Sequence, residues 1–174
     1  LEASSCKYCM VGFYNDLLGQ SACKSCEPGK YLNATGGKSK SNCNNCSVGM
    51  YNSFVGANTC RLCDIGMYSN VAGSIVCINC TQYTYNSLRG QSSVTSCIDC
   101  SPGMYNHLPG QGSCNRCEKG YYCVGNKSKV ACPKGKYLNT TNGNSTSACL
   151  NCNSGYFNDL LGQSACKSCE PGKY

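Results

Sequence analysis

The chain has 174 residues, a net charge of +7 and 20 cysteines, a density above the tenth of a chain that marks disulfide scaffolds. It has no Trp, three Phe and singly scattered aliphatics, so an ordinary apolar core is excluded, and small modules of this kind are stapled by disulfides or metals instead. No stretch approaches the ~18 apolar residues of a membrane span, and dispersed Lys and Arg without interleaved aromatics exclude a nucleic-acid platform.

Cys6 and Cys9 form the first CxxC pair from the amino terminus. Further pairs begin at Cys23, Cys43, Cys60, Cys77, Cys97, Cys114, Cys149 and Cys166, in steps of 17 or 20 residues apart from one of 35. That long step hides another unit, because Cys132 opens the run Cys-Pro-Lys-Gly-Lys-Tyr with no cysteine three residues before it. A fixed short period is the mark of a repeat architecture. Residues 1–174 are therefore predicted to form a continuous array of about ten units of 17–20 residues.

Each unit repeats one internal pattern. Five residues after the second cysteine stands an aromatic: Tyr14, Tyr31, Tyr51, Tyr68, Tyr85, Tyr105, Tyr122, Tyr137, Phe157 and Tyr174. Two residues earlier there is a glycine, which permits a positive φ in a tight turn. The unit at Cys80 departs, with Tyr83 in that place, and a differently built turn is expected there. A second glycine (Gly19, Gly56, Gly73, Gly90, Gly110, Gly143, Gly162) returns the chain to the next cysteine. The aromatic is expected to lie on the disulfide as a miniature core. The result is a two-stranded loop too short to stand alone, contacting only its neighbours. A Gly, Asn or Pro every few residues argues against helix. Leu17-Leu18 and Leu160-Leu161 are read as unit-to-unit packing residues. The fold class expected is small and disulfide-rich: tandem short β-hairpin-like cysteine-rich units stacked into an extended rod.

Repeated CxxC pairs also suit zinc. Zinc sites would group the pairs in twos with variable linkers, yet steps of 17 and 20 residues show no such grouping. Redox catalysis by CxxC lacks a thioredoxin-like setting. No metal and no cofactor are expected. Joining the second cysteine of each pair to the first of the next gives Cys9–Cys23, Cys26–Cys43, Cys46–Cys60, Cys63–Cys77, Cys80–Cys97, Cys100–Cys114, Cys132–Cys149 and Cys152–Cys166. The odd unit supplies Cys117–Cys123, and Cys6 and Cys169 are left over. Other connectivities stay open on sequence alone.

Six sequons (Asn33, Asn45, Asn79, Asn126, Asn139 and Asn144) are candidate acceptors of covalent N-linked glycans. Lys127, Lys129, Lys134 and Lys136 read as a solvated loop, with acidic glycans the sharper alternative partner. The single histidine, His107, sits in a Pro-Gly loop, and the eight acidic residues are dispersed. Neither a calcium loop nor a catalytic carboxylate pair results, and the chain is read as a non-enzyme.

Residues 15–31 and 158–174 are identical, 143 residues apart, a whole number of short units. With no initiator Met and no signal peptide, the chain reads as a window of a longer array with a 143-residue super-repeat. The pattern CxxCxxGxYxxxxGxxxCxxC resembles the ephrin-receptor-like cysteine-rich repeat of large extracellular proteins, unit after unit. That resemblance implies an extracellular or cell-surface, secreted, disulfide-bonded β-rich rod. The expected function is a structural glycoprotein segment of a repeat rod or fibre whose partners are further copies of the same repeat. The alternative is the ectodomain stalk of a surface adhesin or receptor that binds a protein or glycan ligand.

Overall fold

The computed structural model describes residues 5–125 and 128–174. The chain is a small disulfide-stapled structure of two-stranded antiparallel hairpins stacked in tandem, and no α-helix occurs among the described residues. It divides into two compact units, Leu1–Asn79 with Leu88–Ser96, and Cys80–Ser87 with Cys97–Tyr174.

In the first unit the hairpins are β1 (Phe13–Tyr14) with β2 (Lys24–Ser25), β3 (Lys30–Tyr31) with β4 (Asn44–Asn45), β5 (Met50–Tyr51) with β6 (Arg61–Leu62), and β7 (Met67–Tyr68) with β8 (Ile78–Asn79). The second unit holds β9 (Thr84–Tyr85) with β10 (Ile98–Asp99), β11 (Met104–Tyr105) with β12 (Asn115–Arg116), and β13 (Tyr121–Tyr122) with β14 (Val130–Ala131). It ends with β15 (Lys136–Tyr137) paired to β16 (Leu150–Asn151), and β17 (Tyr156–Phe157) paired to β18 (Lys167–Ser168). Every strand is two residues long, so no hairpin could persist in water by itself.

The sequence makes each hairpin by the same local steps. In Glu27-Pro28-Gly29-Lys30 the Lys30 N–H donates to the Glu27 carbonyl at 3.2 Å and Gly29 takes φ +79°. Proline fixes the first central residue and glycine supplies the left-handed second, the arrangement of a type II turn. Where two cysteines of a loop lie 17 rather than 14 apart, the added residues form a 3₁₀ turn: Lys40–Asn42, Val94–Ser96 and Thr146–Ala148. Ser39 and Asn42 close a reciprocal cap on the first of these.

Backbone hydrogen bonds join each hairpin to the next. In the first unit the turn N–H groups of Gly12, Gly29 and Gly49 donate to the carbonyls of Leu32, Asn52 and Ser69 at 2.7–2.8 Å. In return Gly36, Gly56, Gly73 and Gly90 donate to the carbonyls of Cys9, Cys26, Cys46 and Cys63. The second unit repeats the scheme: Gly103, Gly120 and Gly135 donate to Cys123, Leu138 and Asn158, each at 2.8 Å.

Contact also reaches the hairpin two places on, which corrects the expectation that a unit touches only its neighbours. The Gly73 carbonyl oxygen lies 2.1 Å from where a Cβ on Gly29 would stand, and the Gly162 oxygen 2.0 Å from that of Gly120. Glycine is required there by close approach as well as by φ.

Three further expectations are corrected. The turn at Tyr83 is built like the others, with Tyr83 itself at φ +69°. Its N–H donates to the Asn106 carbonyl and its carbonyl accepts from Cys100, both at 2.9 Å, so the surroundings over-determine a conformation that costs a non-glycine residue energy. Asn142, not Gly143, takes the left-handed position of its loop. Leu17, Leu18, Leu160 and Leu161 are exposed at loop tips and do not pack unit against unit.

The miniature core is also differently filled. Tyr14 and Tyr105 are buried, but most of the repeated aromatics are half-buried, and Phe157 is exposed. The residue after the aromatic is the one that lies inside: Leu32, Asn52, Ser69, Asn86, Asn106, Cys123, Leu138 and Asn158 are all buried. Strand alternation explains the change, since consecutive side chains point to opposite faces.

Candidate functional site

The covalent ladder is the principal chemical feature. Sulfur pairs stand at Cys9–Cys23, Cys26–Cys43, Cys46–Cys60 and Cys63–Cys77 in the first unit. In the second they stand at Cys80–Cys97, Cys100–Cys114, Cys117–Cys123, Cys132–Cys149 and Cys152–Cys166. Cys6, exposed, and Cys169, half-buried, carry free thiols. Cys6 is a first cysteine and Cys169 a second cysteine of their pairs, so they are of complementary type in this scheme.

Buried asparagines run beside the ladder, and the sequence reading missed them. Asn52 Nδ2 donates to the Lys30 carbonyl at 3.0 Å and to that of Phe54 at 2.9 Å. Asn106 Nδ2 donates to Thr84 O at 3.1 Å, and Asn158 Nδ2 to Lys136 O at 2.9 Å. Each therefore ties a strand to the preceding hairpin through its buried Nδ2. The Asn52 Oδ1 also accepts from Phe54 N at 3.1 Å, whereas the Asn158 Oδ1 is buried without a hydrogen-bond partner among the described residues. Their signal was the aromatic-Asn dipeptide, as in Tyr51-Asn52, Tyr105-Asn106 and Phe157-Asn158.

The odd seventh hairpin keeps its shape by a substitution. Lys129 stands three residues before Cys132, where other units have a cysteine, while Cys123 takes the buried position that is elsewhere asparagine, leucine or serine. Cys117 thus bonds within its own strand segment. Lys129 Nζ donates to Glu118 Oε2 at 2.7 Å and lies 4.7 Å from the Tyr121 ring centroid. It is also 5.7 Å from that of Tyr105. Hydrogen bonds from Lys129 and from Tyr105 Oη, which donates to Glu118 Oε1 at 3.2 Å, hold the Glu118 carboxyl below its ordinary pKa, and the bond to Glu118 raises that of Lys129. Glu118 therefore contributes above its ordinary value of 4.5 and loses that contribution as pH falls through the lowered one. The pair joins the two arms of this hairpin at the surface, as Lys40 and Glu27 do beside the Cys26–Cys43 bond of the second hairpin.

The candidate acceptors Asn33, Asn45, Asn79, Asn139 and Asn144 are all exposed. Asn45 lies in β4 and Asn79 in β8, each between two cystines, whereas Asn33 and Asn139 follow the first strand of their hairpins. Asn126 lies outside the described residues, as does Lys127. Of the other lysines, Lys129 is engaged by Glu118, Lys136 lies half-buried in β15 and Lys134 is exposed. His107 is exposed beside the Tyr105 ring, centroids 6.0 Å apart.

A family model described as "tyrosine-protein kinase ephrin type A/B receptor-like" matches residues 1–43 and 49–97, more than half of the chain. The chain belongs to the ephrin-receptor-like cysteine-rich family. No curated protein matches it. Among the described residues no group of His, Cys, Asp and Glu is arranged to hold a metal ion. No helix among the described residues is long and apolar enough to cross a membrane.

Proposed function

We propose that this ephrin-receptor-like chain is a segment of a structural extracellular glycoprotein, a disulfide-stapled repeat rod or fibre. The observation that carries the reading is the sameness of successive hairpins. All but the seventh are closed by a disulfide between their two strands, successive hairpins are joined by backbone hydrogen bonds, and turn glycines such as Gly29 and Gly120 press on the hairpin two places on. A quasi-one-dimensional array of that kind extends without a new core for each unit. The complementary thiols of Cys6 and Cys169, and the 143-residue offset between identical segments, support continuation of the same repeat, in one chain or by end-to-end assembly, because head-to-tail contacts that do not close give filaments. Tyr14↔Lys24 in β1–β2 and Phe157↔Lys167 in β17–β18 have the same register, as such a super-repeat requires.

Secretion and N-glycosylation belong to this reading, since stable disulfides need an oxidising compartment. Native material imaged by electron microscopy is expected to be an elongated filament with an axial repeat corresponding to 143 residues. Compact particles with closed ends would overturn the fibre reading. A second reading, the stalk of an adhesin or receptor, draws on exposed apolar pairs at loop tips, Leu17-Leu18, Phe54-Val55 and Leu160-Leu161. Acidic glycans remain the partner class for the exposed Lys134.

A further inference from the structure

The six sequons are alike as triplets but not as places in the fold. Asn139 follows Tyr137 by two residues, with Leu138 between them buried and Thr141 two residues beyond. Alternation along an extended segment puts residues i and i+2 on one face, so Tyr137 and Asn139 share the outer face while Leu138 points inward. Tyr137, Asn139, Asn153 and Tyr156 line one surface depression of about 330 Å³, within the range of about 300–1,000 Å³ of ligand clefts. Tyr156 is 54% exposed and leaves ring surface uncovered beside the acceptor. Asn33 repeats the local arrangement, with Tyr31 before it, buried Leu32 between and Thr35 after.

We infer that the first sugar of an N-linked glycan on Asn139 seats in this depression against Tyr137 and Tyr156, so that the glycan there is part of the fold. The inference rests on the glycoprotein reading proposed above. The chemistry suits an N-acetylhexosamine. Aromatic faces carry negative quadrupole charge, and the weakly positive axial C–H bonds of a β-linked pyranose lie flat on such a face. The Asn153 amide offers a donor and an acceptor to the acetamido group. Asn45 and Asn79, set in β4 and β8, lack an aromatic two residues before them. Asn144 also lacks one, and its Oδ1 already accepts from Ser145 Oγ at 3.3 Å.

The test uses the full chain secreted from a eukaryotic host, with glycan occupancy at each sequon read by mass spectrometry. Asn139→Gln is expected to lower the Tm of the glycosylated protein by about 2–4 °C or more, and Asn144→Gln by less than about 1 °C. In glycan-free protein Asn139→Gln should leave Tm unchanged, and in a Tyr156→Ser background the glycan-dependent difference should vanish. If the disulfide-locked protein does not melt in the accessible range, nuclear Overhauser contacts between the N-acetyl methyl and the Tyr156 ring decide the point. An unoccupied Asn139 overturns the underlying glycosylation reading at this site. An occupied Asn139 whose loss costs no more than that of Asn144, or whose effect survives Tyr156→Ser, or whose acetyl methyl is far from Tyr156, overturns the seat alone.

Discussion

Reduction of the disulfides in plain buffer, with no denaturant, is expected to unfold the chain. Apart from the half-cystines, the buried apolar residues among those described are Tyr14, Leu32, Tyr105 and Leu138, too few to offset the ordering of so many loops. Nor can strands of two residues hold register alone. In the chain-entropy account, closing a loop of about 15 residues contributes about 3 kcal/mol. Loss of a few such closures therefore matches the whole stability of about 5–15 kcal/mol of an ordinary domain. Amide dispersion in NMR spectra recorded before and after phosphine reduction measures this. Collapse to random-coil shifts is expected; retained native dispersion would mean that packing and backbone bonding suffice.

Gly29→Ala is expected to destabilise the protein by about 3–5 kcal/mol, at the exceptional end for single substitutions, or to prevent correct oxidation altogether. The added methyl meets the Gly73 carbonyl oxygen 2.1 Å away, and backbone cannot swing aside as a side chain would. Gly29 also donates to Asn52 O at 2.7 Å and accepts from Cys46 N at 2.8 Å, so any shift breaks contacts with its own hairpin and the next. Gly19 is the control. It has a similar φ of +69° but nothing within 4 Å of an added Cβ, so Gly19→Ala should cost only the conformational penalty of about 1–2 kcal/mol. Chemical denaturation of both variants with disulfides intact separates the two effects. Equal costs would show that φ alone accounts for the glycines, and that the contact between alternate hairpins contributes nothing.

Much of this fold could be read in the chain because its information is local. Cys, Gly and aromatic recur at fixed offsets, and a turn such as Glu27-Pro28-Gly29-Lys30 is dictated by the residues in it. Relations between hairpins were not legible in the same way. Tyr83 looked like a broken turn because sequence shows the cost of a positive φ but not the bonds to Asn106 and Cys100 that impose it. The dipeptide Tyr51-Asn52 drew attention to the tyrosine, although the asparagine is the buried member and reaches back to Lys30. Lys129 read as one of a run of solvated charges, since its partner Glu118 lies 11 residues away across the hairpin. Leu17 and Leu18 read as packing residues because the pair recurs as Leu160-Leu161, but all four side chains are exposed.

Covalent closure of successive hairpins is tested most directly by a non-reducing peptide map of the oxidised protein together with elemental analysis. It predicts peptides linked as Cys9–Cys23, Cys26–Cys43, Cys46–Cys60, Cys63–Cys77, Cys80–Cys97, Cys100–Cys114, Cys117–Cys123, Cys132–Cys149 and Cys152–Cys166. Bound metal should be absent in stoichiometric amount. Free thiols accompanied by about one zinc ion per four cysteines, or links within a CxxC pair, would contradict it.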